Sequence, residues 1–233
     1  MKIYALSDLH LSLSCDKPMN IFGDVWENYW EKIQEDWQKV KDNDIVLIGG
    51  DISWAITLND AKADLKAIDE LPGKKILIRG NHDYWWNSIK KIREVLGKSV
   101  YAVQNDVVRL GNILVFGTRG WTAPDKDQTE EDAKIYAREI ERLKLSVKAM
   151  EKEKREGDVV IGMIHYPPFD ATFSKSPFTD IFADSGVKKV IYGHIHGKNA
   201  RIENIVKIDG VEYYLTSCDL VNNRLVEICN IED

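Results

Sequence analysis

Short apolar runs alternate with segments of helical periodicity through the first hundred residues. Three of the runs are predicted to be buried strands: Lys2–Ser7, Ile45–Ile48 and Lys75–Arg79. Between and after them, apolar residues recur at spacings of three and four, which predicts three helices: 24–42, 59–71 and 85–96. This alternation favours a parallel sheet with helices on its faces.

The pattern becomes richer in strands after residue 100. The predicted strands here are Val100–Val103, Val107–Leu110, Ile113–Phe116, Val159–Ile164, Lys189–Tyr192, Arg201–Ile208, Val211–Thr216 and Arg224–Cys229. A long charged helix is predicted over 129–156, and an irregular loop over Tyr166–Asp180. Asp209-Gly210 between apolar runs is typical of a hairpin turn. With no internal repeat or linker, the sequence predicts one domain over residues 1–233.

Trp26, Trp30 and Trp37 fall on one face of the predicted helix 24–42. Such a stripe is interpreted as the core-facing side of a surface helix. A platform for a ligand is the alternative interpretation.

Composition excludes several classes of protein. A hydrophobic content of 44% with 30% charged residues is typical of a globular domain, and no apolar run reaches the length of a membrane span. The N-terminus lacks the layout of a signal peptide, and the three cysteines have no metal-type spacing, so we expect reduced thiols and a cytoplasmic protein. The net charge of −6 counts against nucleic acid or a membrane as the partner.

The five histidines stand at or just past the ends of apolar runs. Their contexts are Asp8-Leu9-His10, Gly80-Asn81-His82-Asp83, Ile164-His165 and Gly193-His194-Ile195-His196-Gly197. Gly49-Gly50-Asp51 ends another run in the same way. In open α/β sheets ligands collect at the carboxyl ends of strands, so these side chains are predicted to share one site.

The residues proposed to bind metal carry oxygen and imidazole donors with no thiolate: Asp8, His10, Asp51, Asn81, His165, His194 and His196. Such donors suit Mn²⁺, Fe or Zn²⁺. They are too many for one tetrahedral ion and about right for two ions that share a carboxylate. We therefore expect two divalent ions as cofactors, Mn²⁺ first, with Fe or Zn²⁺ as alternatives.

These motifs, in this order, resemble those of the calcineurin-like metallophosphoesterases, and in particular small prokaryotic-type phosphohydrolases. The resemblance spans residues 8 to 196. It implies a four-layer α/β/β/α sandwich, in which two mixed central sheets are flanked by helices and a dimetal site lies at one edge.

The resemblance also implies a role for each residue. Asp8, His10 and His196 would bind the first ion, and Asn81, His165 and His194 the second. Asp51 would bridge them. His82 would contact the phosphate, together with Asn81, and assist the leaving group, with Asp83 as its orienting partner.

The activity that this implies is hydrolysis of phosphate mono- or diesters by in-line attack of a hydroxide that bridges the two ions. Two divalent ions outweigh two carboxylates and a hydroxide by one positive charge, which can attract phosphate despite the acidic chain. A nuclease and a non-catalytic scaffold of the same fold are the alternatives. Asp51 is followed by Ile52-Ser53-Trp54-Ala55 and not by Asp-Arg-Gly, which counts against a protein phosphatase.

Substrate choice is expected to come from loops over the site, and the partner is predicted to be a small phosphoester, such as a nucleotide. The candidate loops are Leu11–Gly23, Tyr84–Trp86, Thr118–Asp127 and Tyr166–Asp180. Their aromatic residues could form a platform or could simply pack: Tyr84, Trp85, Trp86, Trp121, Tyr166, Phe169 and Phe173. Arg119 is a candidate phosphate contact, with a surface ion pair as the alternative.

Overall fold

The strands of the chain form two sheets in the computed structural model, which describes residues 1–123, 129–197 and 203–231. The strands are β1 (Lys2–Leu6), β2 (Ile45–Ile48), β3 (Lys74–Leu77), β4 (Val100–Ala102), β5 (Val107–Leu110), β6 (Ile113–Thr118), β7 (Val159–Ile164), β8 (Lys189–Tyr192), β9 (Ile205–Ile208), β10 (Val211–Leu215) and β11 (Val226–Asn230). The helices are α1 (Tyr29–Trp37), α2 (Leu58–Asp69), α3 (Ile89–Val95), α4 (Glu130–Glu153) and α5 (Pro177–Asp184). Two short 3₁₀ turns cover Met19–Phe22 and Asp24–Trp26.

Both sheets are mixed. The first has the strand order β11-β1-β2-β3-β4, in which β1 to β4 run parallel and β11 pairs antiparallel with β1. The second has the order β5-β6-β7-β8-β10-β9, with antiparallel pairs only at its two edges. The C-terminal strand therefore completes the sheet that the N-terminal strand began.

Three apolar clusters separate four layers. Alternate residues of β1 point to different clusters: Tyr4 and Leu6 pack under the first three helices, and Ile3 and Ala5 pack between the sheets. The cluster between the sheets also takes residues from β6, β7 and β8. The third cluster joins α4 and α5 to the outer face of the second sheet. The predicted α/β/β/α sandwich with two mixed sheets is confirmed.

The predicted helix over 24–42 is wrong at its start. Asn28 has a left-handed φ of 49°, so α1 begins only at Tyr29. Trp26 instead lies in a 3₁₀ turn, with consequences for the site. Similarly, Trp85 and Trp86 precede α3, because both rings are buried in the core and their indole N–H groups donate to Asp83 and Gln104.

Helix α5 lies inside the segment expected to be a loop. Ser176 caps it by accepting from the N–H groups of Phe178 and Thr179, and Pro177 occupies its first turn. Phe178 and Phe182 bury their rings against the second sheet. Among the described residues, no helix combines the length and the apolar character needed to cross a membrane.

Two sets of polar contacts, one buried and one partly buried, connect elements far from the carboxyl ends of the strands. The ammonium of Lys75, which has no solvent exposure, donates to the carbonyls of Asp69, Leu71 and Gly73, at the last residue of α2 and just beyond it. On the second sheet, the guanidinium of Arg109 donates two hydrogen bonds to the carboxylate of Asp158, of 3.0 and 2.8 Å. The Lys75 contacts satisfy carbonyls and an ammonium that would otherwise be buried without partners.

Candidate metal centre

The seven predicted donors lie together, just beyond the carboxyl ends of neighbouring strands. The first sheet contributes four of them, after β1, β2 and β3: Asp8, His10, Asp51 and Asn81. The second sheet contributes three, after β7 and β8: His165, His194 and His196. The site therefore lies where one edge of each sheet meets the other.

Four of these donors have a strained backbone. Asp8, His10, Asp51 and His194 have φ values of 62°, 46°, 51° and 71°. The left-handed region costs a non-glycine residue roughly 1–2 kcal/mol. Strain of this kind persists where the surrounding structure fixes it, and it concentrates at functional sites. The chain turns sharply at each strand end and aims the next side chain at its neighbours.

Glycines allow the close approach of the strand ends. A Cβ atom on Gly80 would lie 2.1 Å from Oδ1 of Asp51, and one on Gly193 would lie 2.5 Å from Oδ2 of Asp8. Backbone bonds then hold the first two segments side by side: the N–H of Asp8 donates to Gly50 and that of His10 to Asp51. Glycine is therefore required beside these polar residues because a side chain would collide with the neighbouring carboxylate.

Asp8, His10 and His196 form the first donor group, in which one ligand atom from each lies within 4.8 Å of the others. Nε2 of His10 is 3.4 Å from Nε2 of His196, and the latter atom is 3.6 Å from Oδ1 of Asp8. The Asp8 carboxylate is itself fixed, because it accepts from the backbone N–H of His194.

Asp51, His165 and His194 form the second donor group, again within 4.8 Å. Oδ1 of Asn81 joins it, at 2.8 Å from Nε2 of His165 and 2.9 Å from Nδ1 of His194. Oδ2 of Asp51 faces both groups: it lies 3.5 Å from Nε2 of His165 and 3.8 Å from Nε2 of His10. Asp51 is the carboxylate that two neighbouring ions could share.

The donor spacings fit divalent ions. Two ligand atoms about 2.1 Å from one ion lie roughly 3.0 to 3.4 Å apart at octahedral to tetrahedral angles. The separation between His10 and His196 falls at the upper end of that range, and those made by Asp8 and Asp51 fall slightly above it. All the donors are nitrogen or oxygen atoms, which suits Mn²⁺, Fe and Zn²⁺.

The sequence profile of calcineurin-like phosphoesterases matches residues 1–198, which contain all seven donors. The chain belongs to the calcineurin-like phosphoesterase family. Membership of the family, predicted from five short motifs, is confirmed. It implies a hydrolase of phosphoester bonds and divalent metal ions as cofactors.

Two solved structures share the fold of this calcineurin-like phosphoesterase. A protein of unknown function from Aquifex aeolicus is 16% identical, with a TM-score of 0.51 over 97% of this chain and 95% of its own. A protein from Thermus thermophilus is 14% identical, with a TM-score of 0.60 over 97% of this chain and 96% of its own. No curated protein matches the chain significantly.

Two histidines of this phosphoesterase are oriented by partners behind them. Nδ1 of His165 donates to the carbonyl of Gly49 at 2.9 Å, which directs its Nε2 toward Asp51. Nδ1 of His196 donates to Oδ1 of Asp219 at 2.9 Å, and Oδ2 of Asp219 accepts from the N–H of Gly197. Such contacts fix the tautomer and rotation of a metal-binding imidazole.

Asp219 was not predicted from the sequence. It lies beyond residue 198, outside the family match, and shortly after β10, which pairs in parallel with β8. The rule that found the other donors, a polar residue past the carboxyl end of a parallel strand, would also have found Asp219. The apolar pattern of this part of the chain predicted only β-structure.

The local charges divide the histidines into two kinds. Burial lowers the pKa of His10 and of His194 to about 4. Burial also opposes charge on His165 and His196, but Asp51 raises the pKa of His165 to about 9, and Asp219 with Asp8 raises that of His196 to about 10. Carboxylates that favour positive charge at these two rings would equally favour a cation between them.

His82 borders both donor groups. Its backbone N–H donates to Oδ1 of Asp51 at 2.8 Å, and its ring centroid lies 5.7 Å from that of His10. Burial lowers the pKa of His82, and among the described residues its Nδ1 has no hydrogen-bond partner. His82 is thus beside the donors, as the resemblance implied.

The described hydrogen bonds of the Asp83 carboxylate do not include the expected one to His82. The Asp83 carboxylate accepts from the backbone N–H groups of Ile52, Ser53 and Gly80, at 2.8, 3.2 and 2.7 Å, and from the indole of Trp85. These bonds hold the carboxylate against the loops after β2 and β3, and its role in orienting the neighbouring imidazole stays a prediction. Burial raises the pKa of Asp83 to about 6.

Arg119 is held by an ion pair. Its guanidinium lies 3.2 Å from Oε1 of the buried Glu139 on α4 and stacks over the ring of Trp121. The backbone carbonyl of Arg119 accepts from the N–H groups of His165 and Tyr166. The side chain is near the site but already paired, and its contact with phosphate stays a prediction.

A cavity of about 700 Å³ opens beside the first donor group. His10, His82 and His196 form one wall, and the loop Leu11–Gly23, predicted to face the site, supplies Met19, Phe22 and Gly23. The other candidate loops do not line it within the described residues, and 124–127 lie outside them. Trp85, Trp86 and Phe169 are buried packing residues. Trp26, for which a ligand platform was the alternative interpretation, and Trp54, which was not predicted, both line the cavity.

Proposed function

We propose that this calcineurin-like phosphoesterase hydrolyses phosphate mono- or diesters at a dinuclear metal centre. The observation that carries the proposal is the position of Asp51, whose Oδ2 faces His10 on one side and His165 on the other. A carboxylate shared in this way holds two ions roughly 3.5–4 Å apart, a separation suited to in-line displacement at phosphorus.

Each ion would have ligands from both sheets. Asp8, His10 and His196 would hold the first, and Asn81, His165 and His194 the second. When bound, such ions supply a nucleophilic water of lowered pKa and positive charge opposite the phosphoryl oxygens. The donors support Mn²⁺ as the first candidate, with Fe and Zn²⁺ next.

The chain itself positions the groups around the phosphate. His82 is held next to the donors by the bond from its backbone to Asp51, and its ring borders the cavity. From there it would donate a hydrogen bond or a proton to the leaving oxygen. The Asn81 amide would orient a phosphoryl oxygen through its N–H₂ group while its Oδ1 faces the histidines.

The three cysteines of this chain are unpaired in the structure, which supports a reducing, cytoplasmic location as part of the proposal. A nuclease is less well supported. The residues that line the cavity include two acids, Asp24 and Asp219, and no lysine or arginine among the described residues. A polynucleotide backbone would need cations along its path.

The test is hydrolysis of a chromogenic monoester and diester by protein stripped of metal and then supplied with Mn²⁺, Fe²⁺ or Zn²⁺. Hydrolysis should require metal, and Asp51→Asn should remove nearly all of it. Asp209→Asn is the matched control, because Asp209 has a similar left-handed φ of 50° but lies in the turn between β9 and β10. The absence of hydrolysis with every ion, or full activity of Asp51→Asn, would contradict the proposal.

A further inference from the structure

The cavity and the donor groups share three side chains. His10, His82 and His196 belong to the catalytic arrangement and also line the cavity of about 700 Å³. A phosphate between the donor groups would therefore have one ester substituent directed toward that space. The volume is within the range of small-molecule sites and far exceeds what a phosphate alone would fill.

The remaining wall is mostly apolar. Its apolar side chains are Met19, Phe22, Val25, Trp26, Trp54 and Leu220. The lining residues include no lysine or arginine in the part of the chain that the structure describes, and Asp24 and Asp219 would repel a second anionic group. A second anionic group is therefore disfavoured here, and the apolar side chains of the wall suit an uncharged hydrocarbon.

The two indoles do not offer free faces for a nucleobase. The ring of Trp54 stacks on His10 with centroids 4.7 Å apart, and the ammonium of Lys17 lies 3.2 Å from its ring centre. Trp26 is only 4% exposed and makes edge contacts with His10 and Tyr29. Stacking of a base needs an open π face, whereas contact with a hydrocarbon does not.

The mouth of the cavity is also apolar. Phe22 lines it while remaining 60% exposed, and its neighbour Ile21 is 71% exposed on the same 3₁₀ turn. Exposed apolar side chains next to an apolar cavity are typical of a binding site and not of a solvated loop. Leu220 and Asn222, which also line the cavity, lie outside the segment that matches the family.

We propose that this cavity binds an uncharged hydrocarbon substituent of the phosphoester, so that the substrate is an amphiphile with one phosphate and one apolar group. The inference rests on the proposed phosphoesterase function, because it places the phosphate between the donor groups. The loops 19–26 and 219–222 would then determine specificity by favouring hydrocarbon and excluding anionic substituents.

Binding of a homologous series tests the proposal without turnover. Inorganic phosphate and the phosphonates from methyl to hexyl are titrated by calorimetry into the full chain loaded with Mn²⁺. Burial of a methylene group contributes about 0.8 kcal/mol, so the dissociation constant should fall by up to about fourfold for each one added. A series with no dependence on chain length would overturn the proposal, as would tighter binding of an adenosine phosphonate than of hexylphosphonate.

Two neighbouring substitutions separate the cavity from general effects on the loop. Phe22→Asp places a charge at the cavity wall and should remove most of the dependence on chain length. Ile21→Asp makes the same change one residue away, at a more exposed side chain that does not line the cavity, and should keep that dependence. Equal effects of the two variants would contradict the assignment of the cavity.

The outcomes also distinguish this inference from the proposed function. If phosphate binds and esters are hydrolysed while chain length has no effect, the hydrocarbon site is wrong and the phosphoesterase stands. If neither phosphate nor any phosphonate binds and no ester is hydrolysed, both are wrong.

Discussion

Replacement of Asp219 by asparagine should weaken the binding of one metal ion and leave the binding of the other unchanged. The Asp219 carboxylate uses both oxygens, one for Nδ1–H of His196 and one for the N–H of Gly197. An asparagine offers one carbonyl oxygen and must turn its N–H₂ toward the other donor. His196 then loses its fixed orientation, or Gly197 loses its partner and the turn that carries His196 loosens.

The magnitude follows from similar contacts behind metal ligands, whose loss typically costs 10- to 100-fold in affinity, or about 1.4 to 2.7 kcal/mol. Among the described residues, the Asp219 carboxylate bonds to His196 and Gly197, so the affinity for an ion that Asn81, His165 and His194 would hold should change by less than about threefold. The bound stoichiometry at limiting Mn²⁺ should thus fall from two toward one. Activity should recover at saturating Mn²⁺, because the substitution leaves His82 and Asn81, which are proposed to contact phosphate, unchanged.

Metal titration by calorimetry, with elemental analysis of the dialysed protein, measures both constants. Asp209→Asn again serves as the control for the loss of one carboxylate far from the donors. Wild-type affinity for both ions in Asp219→Asn would refute the reasoning, because His196 would then need no carboxylate behind it. Loss of both ions together with the circular-dichroism signal of the fold would indicate a structural role instead.

Three further changes test other parts of the chain. His82→Ala should keep its metal content, measured by elemental analysis, and lose about 10²- to 10⁴-fold in kcat; an unchanged kcat would exclude His82 from the reaction. Lys75→Met should lower the free energy of unfolding by about 2 to 4 kcal/mol in denaturant titrations, because buried carbonyls lose their donor, whereas the exposed neighbour Lys74 should tolerate the same change; equal effects would be inconsistent with this explanation. Hydrogen bonds from Arg109 lower the pKa of Asp158 to about 2. The stabilisation they give is therefore complete above the unfolded pKa near 3.8 and is lost as the pH falls toward 2. Between pH 5 and pH 2 the free energy of unfolding of Asp158→Asn should fall less than that of the wild type, and parallel curves of unfolding free energy against pH would contradict this.

The donors at the strand ends could be predicted from sequence because each is marked by residues next to it in the chain. An apolar run stops, a polar residue follows, and parallel strands bring these residues to one edge. That reasoning located Asp8, Asp51 and Asn81 without any knowledge of the partner strands. It also located His165 and His194, although they belong to a different sheet.

Features that depend on non-local packing were missed. Trp26 matches a helical stripe, yet the left-handed Asn28 interrupts that helix and Trp26 lies against His10 instead. No pattern near Asp83 in the sequence indicates its partners, because its carboxylate accepts hydrogen bonds from Ile52 and Ser53 in the loop after β2. Asp219 contributes only because β10 lies next to β8. Periodicity carries no information on such neighbours.

Helix α5 is a different case, because its signal was local and was overlooked. Ser176-Pro177 followed by Thr179 forms a capping box, and Phe178 and Phe182 recur at a helical spacing. The aromatic and proline content of the segment had favoured a loop. Capping residues are therefore as informative as composition in short helices.

Each set of candidate ligands comes from both sheets, so bound ions would also link the two sheets to each other. His10 and His196 are separated by 186 residues in the chain, and an ion between them would close a loop nearly as long as the protein. Such a loop closes only after the two sheets have docked, so a half-folded chain offers each ion an incomplete set. Metal retention would then report the docking of the sheets, and slow loss of metal would mark the first separation of the two halves during unfolding.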